Sequence, residues 1–232
     1  MSGLRILIAG SSGGIGTGLA AAFSGEKLIL HYHRHEPAQK ENGYLIRADL
    51  TNYEEVERMV GEILKAYGGL DVLINAAGIS TDGFTHKLRP EDWGSVIGTN
   101  LSGAFNLARA VLPSMRENKQ GRIIFLTSVV FQNPVLGTPA YSASKAGLVG
   151  LTRTIALENA RARITCNCIS LGYFDAGMLY QIPEPLREQI RAKIPLGRFG
   201  RLEELAGAIR FLVDTEYITG QVLNLNGGLY MG

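Results

Sequence analysis

Cysteine is nearly absent: two in 232 residues, too few for a disulfide-stapled fold. The pair, Cys166 and Cys168, sits two apart in a strand-like run, so both share a face and cannot readily bridge. Reduced core thiols are expected, which suits a cytoplasmic protein. No apolar run is long enough to span a bilayer. The opening Met1-Ser2-Gly3-Leu4-Arg5 leads into an apolar strand rather than a secretion signal. Charge is also scarce, at 19% of residues with a formal net charge of +2. Nucleic acid and anionic membranes need a concentrated basic face, so neither partner is expected. Repeats, linkers and low-complexity segments are missing too.

What the chain does have is a hydrophobic content of 46% and 29 glycines. A chain of this length fits one domain, residues 1–232, burying about three quarters of its unfolded surface. Apolar strand-like runs at Leu4–Ala9, Leu28–His33, Tyr44–Ala48, Val72–Ile74, Ile123–Leu126, Ile164–Ile169 and Val222–Leu225 alternate with helical segments. The helices are read at Ile15–Phe23, Glu54–Ala66, Glu91–Met115, Ser142–Asn159 and Leu205–Val213, the third bent or interrupted at Gly98 or Gly103. Strands separated by helices imply parallel pairing with right-handed crossovers. The fold class is therefore α/β, a Rossmann-type doubly wound parallel sheet in three αβα layers. The stretch of about 173–200 has three prolines and poor strand character, and is read as a helical flap over the substrate.

Ligands of such sheets bind beyond the carboxyl ends of the strands. After the first strand comes Ala9-Gly10-Ser11-Ser12-Gly13-Gly14-Ile15-Gly16. Gly10, Gly14 and Gly16 allow a tight turn and close approach to a pyrophosphate, and the helix N-terminus beyond offers free N–H groups. Gly10, Ser12, Gly14, Ile15 and Gly16 are the candidate cofactor contacts here. The second strand ends His31-Tyr32-His33-Arg34-His35. No acidic residue stands there before Glu36 to accept from a ribose 2′-hydroxyl, whereas Arg34 can pair with a 2′-phosphate. NADP(H) is therefore favoured over NAD(H). His31, His33 and His35 alternate on one face, but solvent or phosphate accounts for them better than a metal, and no metal site is expected. Asp49, with Leu50 beside it, can accept from an adenine amino group or serve the start of the next helix.

Ser128 follows the fifth strand, and Tyr141-Ser142-Ala143-Ser144-Lys145 opens a helix. Tyr141 and Lys145, four apart, face the same way. A phenol ionises near pH 10, and a neighbouring ammonium favours the phenolate, making Tyr141 a better proton donor and acceptor. Ser128 can donate to a substrate oxygen where charge develops. Catalysis is thus assigned to Tyr141 as acid.

In these elements the chain resembles the short-chain dehydrogenase/reductase family along essentially its whole length. The family's glycine turn matches Ala9 to Gly16, its Asn-Asn-Ala-Gly segment matches Asn75-Ala76-Ala77-Gly78, and its active-site asparagine matches Asn100. The resemblance implies that Asn75, Ala76 and Gly78 line the cofactor and that Lys145 lowers the Tyr141 pKa and binds the nicotinamide ribose. It also implies that Asn100 holds a water joining Lys145 to solvent. Within the family, Ile194-Pro195-Leu196-Gly197-Arg198-Phe199-Gly200 and the ending Asn226-Gly227-Gly228-Leu229-Tyr230-Met231 resemble bacterial 3-oxoacyl-(acyl-carrier-protein) reductases. That likeness implies NADPH-dependent reduction of a 3-oxoacyl thioester in fatty acid biosynthesis. It implies a homotetramer packed through the long helices after Asn100 and Tyr141, and a basic surface beside the active site. Lys119, Arg161 and Arg163 are the residues for docking an acyl carrier protein.

The chain departs from the pattern at Gly13, which replaces a basic residue common in NADP enzymes, and at Leu171, which replaces a proline. Ala176 stands where a threonine bonds the nicotinamide amide, with flexible Gly177 next to it. A related oxidoreductase acting on an acyl-CoA, a cyclic ketone or a sugar is the nearest alternative. A nucleotide-binding regulator without catalysis is the alternative from another class.

Overall fold

The computed structural model describes residues 3–37 and 43–232; Met1 and Ser2 of the lead-in lie outside the described residues. Seven parallel strands form one sheet: β1 (Arg5–Ala9), β2 (Lys27–Tyr32), β3 (Tyr44–Arg47), β4 (Val72–Asn75), β5 (Gly121–Ser128), β6 (Ile164–Leu171) and β7 (Val222–Leu225). Their spatial order is β3-β2-β1-β4-β5-β6-β7. The order reverses between β1 and β4, and this switch point is where a crevice opens above the strand ends. The expected α/β three-layer architecture is present.

The central strands are buried on both faces, which is why they read as unbroken apolar runs rather than alternating ones. Period two then splits each strand between two cores. Leu7, Leu73, Ile123, Phe125, Cys166 and Cys168 face one side. There they meet α2 (Tyr53–Tyr67), α4 (Gly103–Glu117) and α5 (Pro139–Asn159) through Val56, Leu107 and Leu148. Ile6, Ile8, Val72, Ile74 and Ile124 face the other, against Leu19 and Phe23 around α1 (Gly14–Ala22) and Leu205 and Ile209 of α7 (Leu202–Asp214). Both cysteines are buried and unbridged.

The helical span Glu91–Met115, expected to bend or break at Gly98 or Gly103, is interrupted there: α3 (Pro90–Ile97) and α4 are joined by a π-helical turn at Gly98–Ser102. Such wide turns insert one extra residue and are frequent at functional sites. Gly103, at the end of this one, packs closely on Leu50: a Cβ there would reach Leu50 Cβ at 3.0 Å. The turn leaves Asn100 only 1% exposed. The flap contains a 3-10 turn at Gly177–Gln181 and α6 (Glu184–Lys193), helical as expected. Its two ends are joined to each other by a bridge between Phe174 and Gly200.

Phe125 is wholly buried at the centre of the sheet. Phe125→Ala should cost about 3–5 kcal/mol, read as a lower denaturation midpoint with an unchanged denaturant slope; a cost below 1 kcal/mol would place the core elsewhere.

Candidate active site

The glycine turn owes its shape to close backbone contacts. Gly10 has φ +78°, and a Cβ there would sit 2.6 Å from Ala77 Cα. A Cβ on Gly16 would overlap the Gly10 carbonyl oxygen. Beyond the turn, α1 starts at Gly13 with no side-chain cap and no acidic residue in its first turn. By contrast, α2 is capped by Asn52, which accepts from the Glu54 and Glu55 N–H groups, and carries both acids in its first turn. An uncapped, unneutralised helix start beside glycines fits the phosphates of a dinucleotide.

One organiser of this turn was not read as such from the sequence. His31 is 2% exposed. Its Nδ1 accepts from the Gly10 N–H at 3.1 Å and its Nε2 donates to the Ala48 carbonyl at 3.0 Å. Ser11 adds its N–H and hydroxyl to the His31 carbonyl, each at 2.9 Å. His31 thus pins the glycine turn to the second and third strands, while His33 and His35 are exposed. Its register partner is Ala9, the last residue before the turn, a pairing that comes only with the sheet. Among the described residues no group of three His, Cys, Asp or Glu could hold a metal ion.

At the ribose end, Arg34 is exposed and its charge reaches Asp49. Asp49 does what a helix-start acid does: Oδ1 accepts from the Thr51 N–H at 2.9 Å and hydroxyl at 2.8 Å. Burial works against its ionisation, but those bonds and the charges of His33 and Arg34 hold its pKa below the ordinary value. Ser12 is exposed on the turn, and buried Leu50 accepts at its carbonyl from Asn106 at 2.9 Å. Asn75 closes β4 by accepting the Ala77 N–H at 3.1 Å, and Ala76 donates to the Ala9 carbonyl at 2.9 Å.

The chemical residues converge at the ends of β4 and β5. Ser128 is the last residue of β5, and its side chain lies close enough to the Tyr141 phenol to pull the phenol's pKa down. Lys145 is 5% exposed, donates to the Leu126 carbonyl at 2.8 Å, and lies 5.4 Å from the Tyr141 ring centroid. Gly78 completes the group: a Cβ there would lie 3.5 Å from both Asn100 Oδ1 and Lys145 Nζ. Asn100 spends its side chain on protein, accepting the Ile79 N–H at 2.8 Å and donating to the Ile79 carbonyl at 2.9 Å and Ser144 Oγ at 3.1 Å. It therefore holds the loop after β4 against α5.

Burial is the largest influence on both the Tyr141 phenol and the Lys145 ammonium. Burial pushes the phenol up to about 12, against the opposing bond from Ser128. Burial likewise pushes the Lys145 ammonium down to about 8. Desolvation disfavours the charged form of each group, which raises the phenol and lowers the ammonium.

The flap meets the cofactor end directly. Gly177 has φ +59°, and a Cβ on Gly14 would overlap its backbone N. Ala176 at this contact has no side-chain donor, as the sequence indicates. The basic residues expected beside the site lie elsewhere. Lys119 precedes β5 and Arg161 and Arg163 precede β6, at the amino ends of strands whose carboxyl ends carry Ser128. Eight residues of β5 separate the two ends, about 23 Å at a strand's rise. Arg163 also pairs with Glu216 at 3.3 Å.

A family model described as enoyl-(acyl carrier protein) reductase matches residues 9–230. The chain belongs to the short-chain dehydrogenase/reductase family. It is 38% identical to an acetoacetyl-CoA reductase of Rhizobium meliloti, with 97% of both chains covered. It is 35% identical to a 3-oxoacyl-(acyl-carrier-protein) reductase of Vibrio cholerae, covering 100% of this chain and 99% of the relative. A protein of the same description from Thermotoga maritima is 40% identical over 78% of this chain and 74% of its own. With the family comes the reaction class: this is an oxidoreductase acting on CH–OH and C=O groups with a nicotinamide cofactor. No helix of the described residues is long and apolar enough to cross a membrane.

His31 carries a pH dependence. Burial lowers its pKa from 6.5 to about 4, so between those values the unfolded chain binds the extra proton. Stability should be fully present above about pH 6.5 and fall by about 3 kcal/mol as pH drops towards 4. Denaturant titrations of the wild type and His31→Gln should show this slope only in the wild type; equal slopes would remove His31 as its source.

Proposed function

We propose that the protein reduces a 3-oxoacyl thioester to the 3-hydroxyacyl form with NADPH, as in fatty acid synthesis. The observation that carries this reading is the meeting of Ser128, Tyr141 and a buried Lys145 beside the glycine turn. The named activities of the full-length relatives supply the substrate class. When bound, the cofactor supplies a hydride to the carbonyl carbon. Tyr141 gives the proton to the carbonyl oxygen; with its pKa near 12 it remains protonated across neutral pH and is ready as an acid. Ser128 donates to the same oxygen, stabilising the negative charge that grows there. Lys145 holds the cofactor's ribose and returns a proton to the tyrosine, its lowered pKa of about 8 making the ammonium a readier donor. Asn100 keeps the loop after β4 in place against them. Holding the reactants together removes much of the orientational cost.

Arg34 pairs with the 2′-phosphate in this reading, with Asp49 and the chain around Leu50 towards the adenine. Ser12, Ile15 and the glycines of the turn take the pyrophosphate, and Asn75, Ala76 and Gly78 flank the rest of the cofactor. A homotetramer is part of the proposal: Phe105 on α4 and Leu157 on α5 are 47% and 84% exposed, apolar surface that a second copy would cover. Lys119, Arg161 and Arg163 would then receive an acyl carrier protein for a neighbouring subunit's site, not their own. Two free buried thiols accord with a cytoplasmic setting. A coenzyme A thioester serves the same chemistry.

The test is oxidation of NADPH, and separately NADH, with an acetoacetyl thioester. Turnover should be strong with NADPH, Tyr141→Phe should lower kcat by about 10²–10⁴-fold, and Arg34→Ala should weaken NADPH binding about tenfold without affecting NADH. Turnover with NADH alone would overturn the phosphate assignment. Undiminished kcat in Tyr141→Phe would overturn the acid.

A further inference from the structure

Ser128 stands at the end of a strand, and the chain turns at once through the 3-10 segment Val129–Phe131. Its hydroxyl must be held to within a fraction of an ångström to serve Tyr141 and a substrate oxygen. The Val130 N–H reaches Ser128 Oγ only at 3.4 Å, too long to fix it. Gln132 closes the turn: its N–H and that of Asn133 donate to the Val129 carbonyl at 3.0 and 2.8 Å. The side chain then reaches back across the sheet end, and Gln132 Oε1 accepts from Ser170 Oγ at 2.8 Å.

Ser170 lies in β6, wholly buried, between Ile169 and Leu171. A hydroxyl at such a position costs desolvation free energy unless it is bonded, and this bond is what meets that cost. Its register partner on β5 is Thr127, the residue before Ser128. Thr127 is also buried, and its hydroxyl donates to the Lys145 carbonyl at 2.7 Å. Partners in register on parallel strands point to the same face. Two buried hydroxyls thus stand side by side one step below the chemistry. Thr127 ties down the helix turn that carries Tyr141 and Lys145, and Ser170 ties down the turn that follows Ser128.

We propose that the Ser170–Gln132 hydrogen bond is a positioning device that sets the Ser128 hydroxyl against Tyr141 and the substrate oxygen. Neither residue touches the reacting atoms; both act through Ser128. The proposal rests on the catalytic roles given above for Ser128 and Tyr141. It also accounts for a polar residue at 170 inside an otherwise apolar strand end.

The experiment is a double-mutant cycle. Ser170→Ala is made in the wild type and in Ser128→Ala, with Gln132→Leu as a second variant that breaks the bond from its less buried end. Single-turnover rates at high enzyme, KM for the acetoacetyl thioester, NADPH affinity by fluorescence and thermal midpoints are measured. In the wild-type background Ser170→Ala and Gln132→Leu should each lower kcat about tenfold while NADPH affinity and KM stay within about twofold. In the Ser128→Ala background the further loss should be under about twofold, because the group being positioned is gone. Equal losses in both backgrounds would mark a general structural role and overturn the proposal. So would full turnover in both single variants beside a crippled Ser128→Ala, which leaves the catalytic reading standing. Full turnover in Ser128→Ala itself would overturn that reading, and the positioning role with it.

Discussion

A buried ammonium at the end of the sheet is the constraint on which the rest of this site depends. Lys145 is nearly inaccessible, and a charge taken out of water costs several kcal/mol unless its surroundings satisfy it. The chain answers with a carbonyl from β5, a loop after β4 whose Gly78 lies alongside the ammonium, and a π-helical turn that brings Asn100 beside it. Thr127 fixes the backbone of Lys145 itself. The helix bearing Tyr141 has little freedom once these bonds are made. The phenol and the ammonium are moved in opposite directions by the same burial, up to about 12 and down to about 8, so the pair begins with a protonated acid beside a cation that releases protons more readily. Groups with pKa values pushed by burial are what proton-transfer chemistry uses.

The cofactor half follows a different physical rule, that of close backbone approach. Glycines let the first turn lie against Ala77 and let Gly177 of the flap lie against Gly14. His31 locks that turn from below with both ring nitrogens. The start of α1, where the proposed cofactor's phosphates would lie, is therefore held on the sheet side and approached by a flap on the other. The flap touches the turn through a left-handed glycine and an alanine, so its docking there relies on backbone contact and packing rather than on a side-chain bond at position 176.

Most of the architecture was legible in the sequence because burial on both faces writes parallel strands as continuous apolar runs, and β1, β4 and β5 are of that kind. The glycine turn and Ser128 were legible because each falls at a strand end, where an open parallel sheet places its ligands, and Tyr141 and Lys145 because they stand four apart on the helix that follows. What was not legible depended on packing between distant elements. The glycines at 98 and 103 marked a break in the helical span Glu91–Met115, but not that the break is a wide turn that buries Asn100. His31 looked like one of three alternating histidines until its burial separated it from His33 and His35. A motif pairs Tyr141 with Lys145 in sequence, yet the sign of their pKa shifts comes from desolvation, which spacing does not report. Lys119, Arg161 and Arg163 match a docking pattern by position, while strand direction puts them at the far end of the sheet within their own chain.

The central claim is that the crevice at this switch point brings a hydride donor and a 3-oxoacyl carbonyl together under Tyr141. The most direct measurement is transfer of label from NADPH carrying deuterium at the nicotinamide C4 on either face, with the product analysed by mass spectrometry and proton NMR. Deuterium from one face alone, recovered on the carbon that bears the new hydroxyl, is the predicted result. Cofactor that binds but passes no label to that carbon from either face would contradict it.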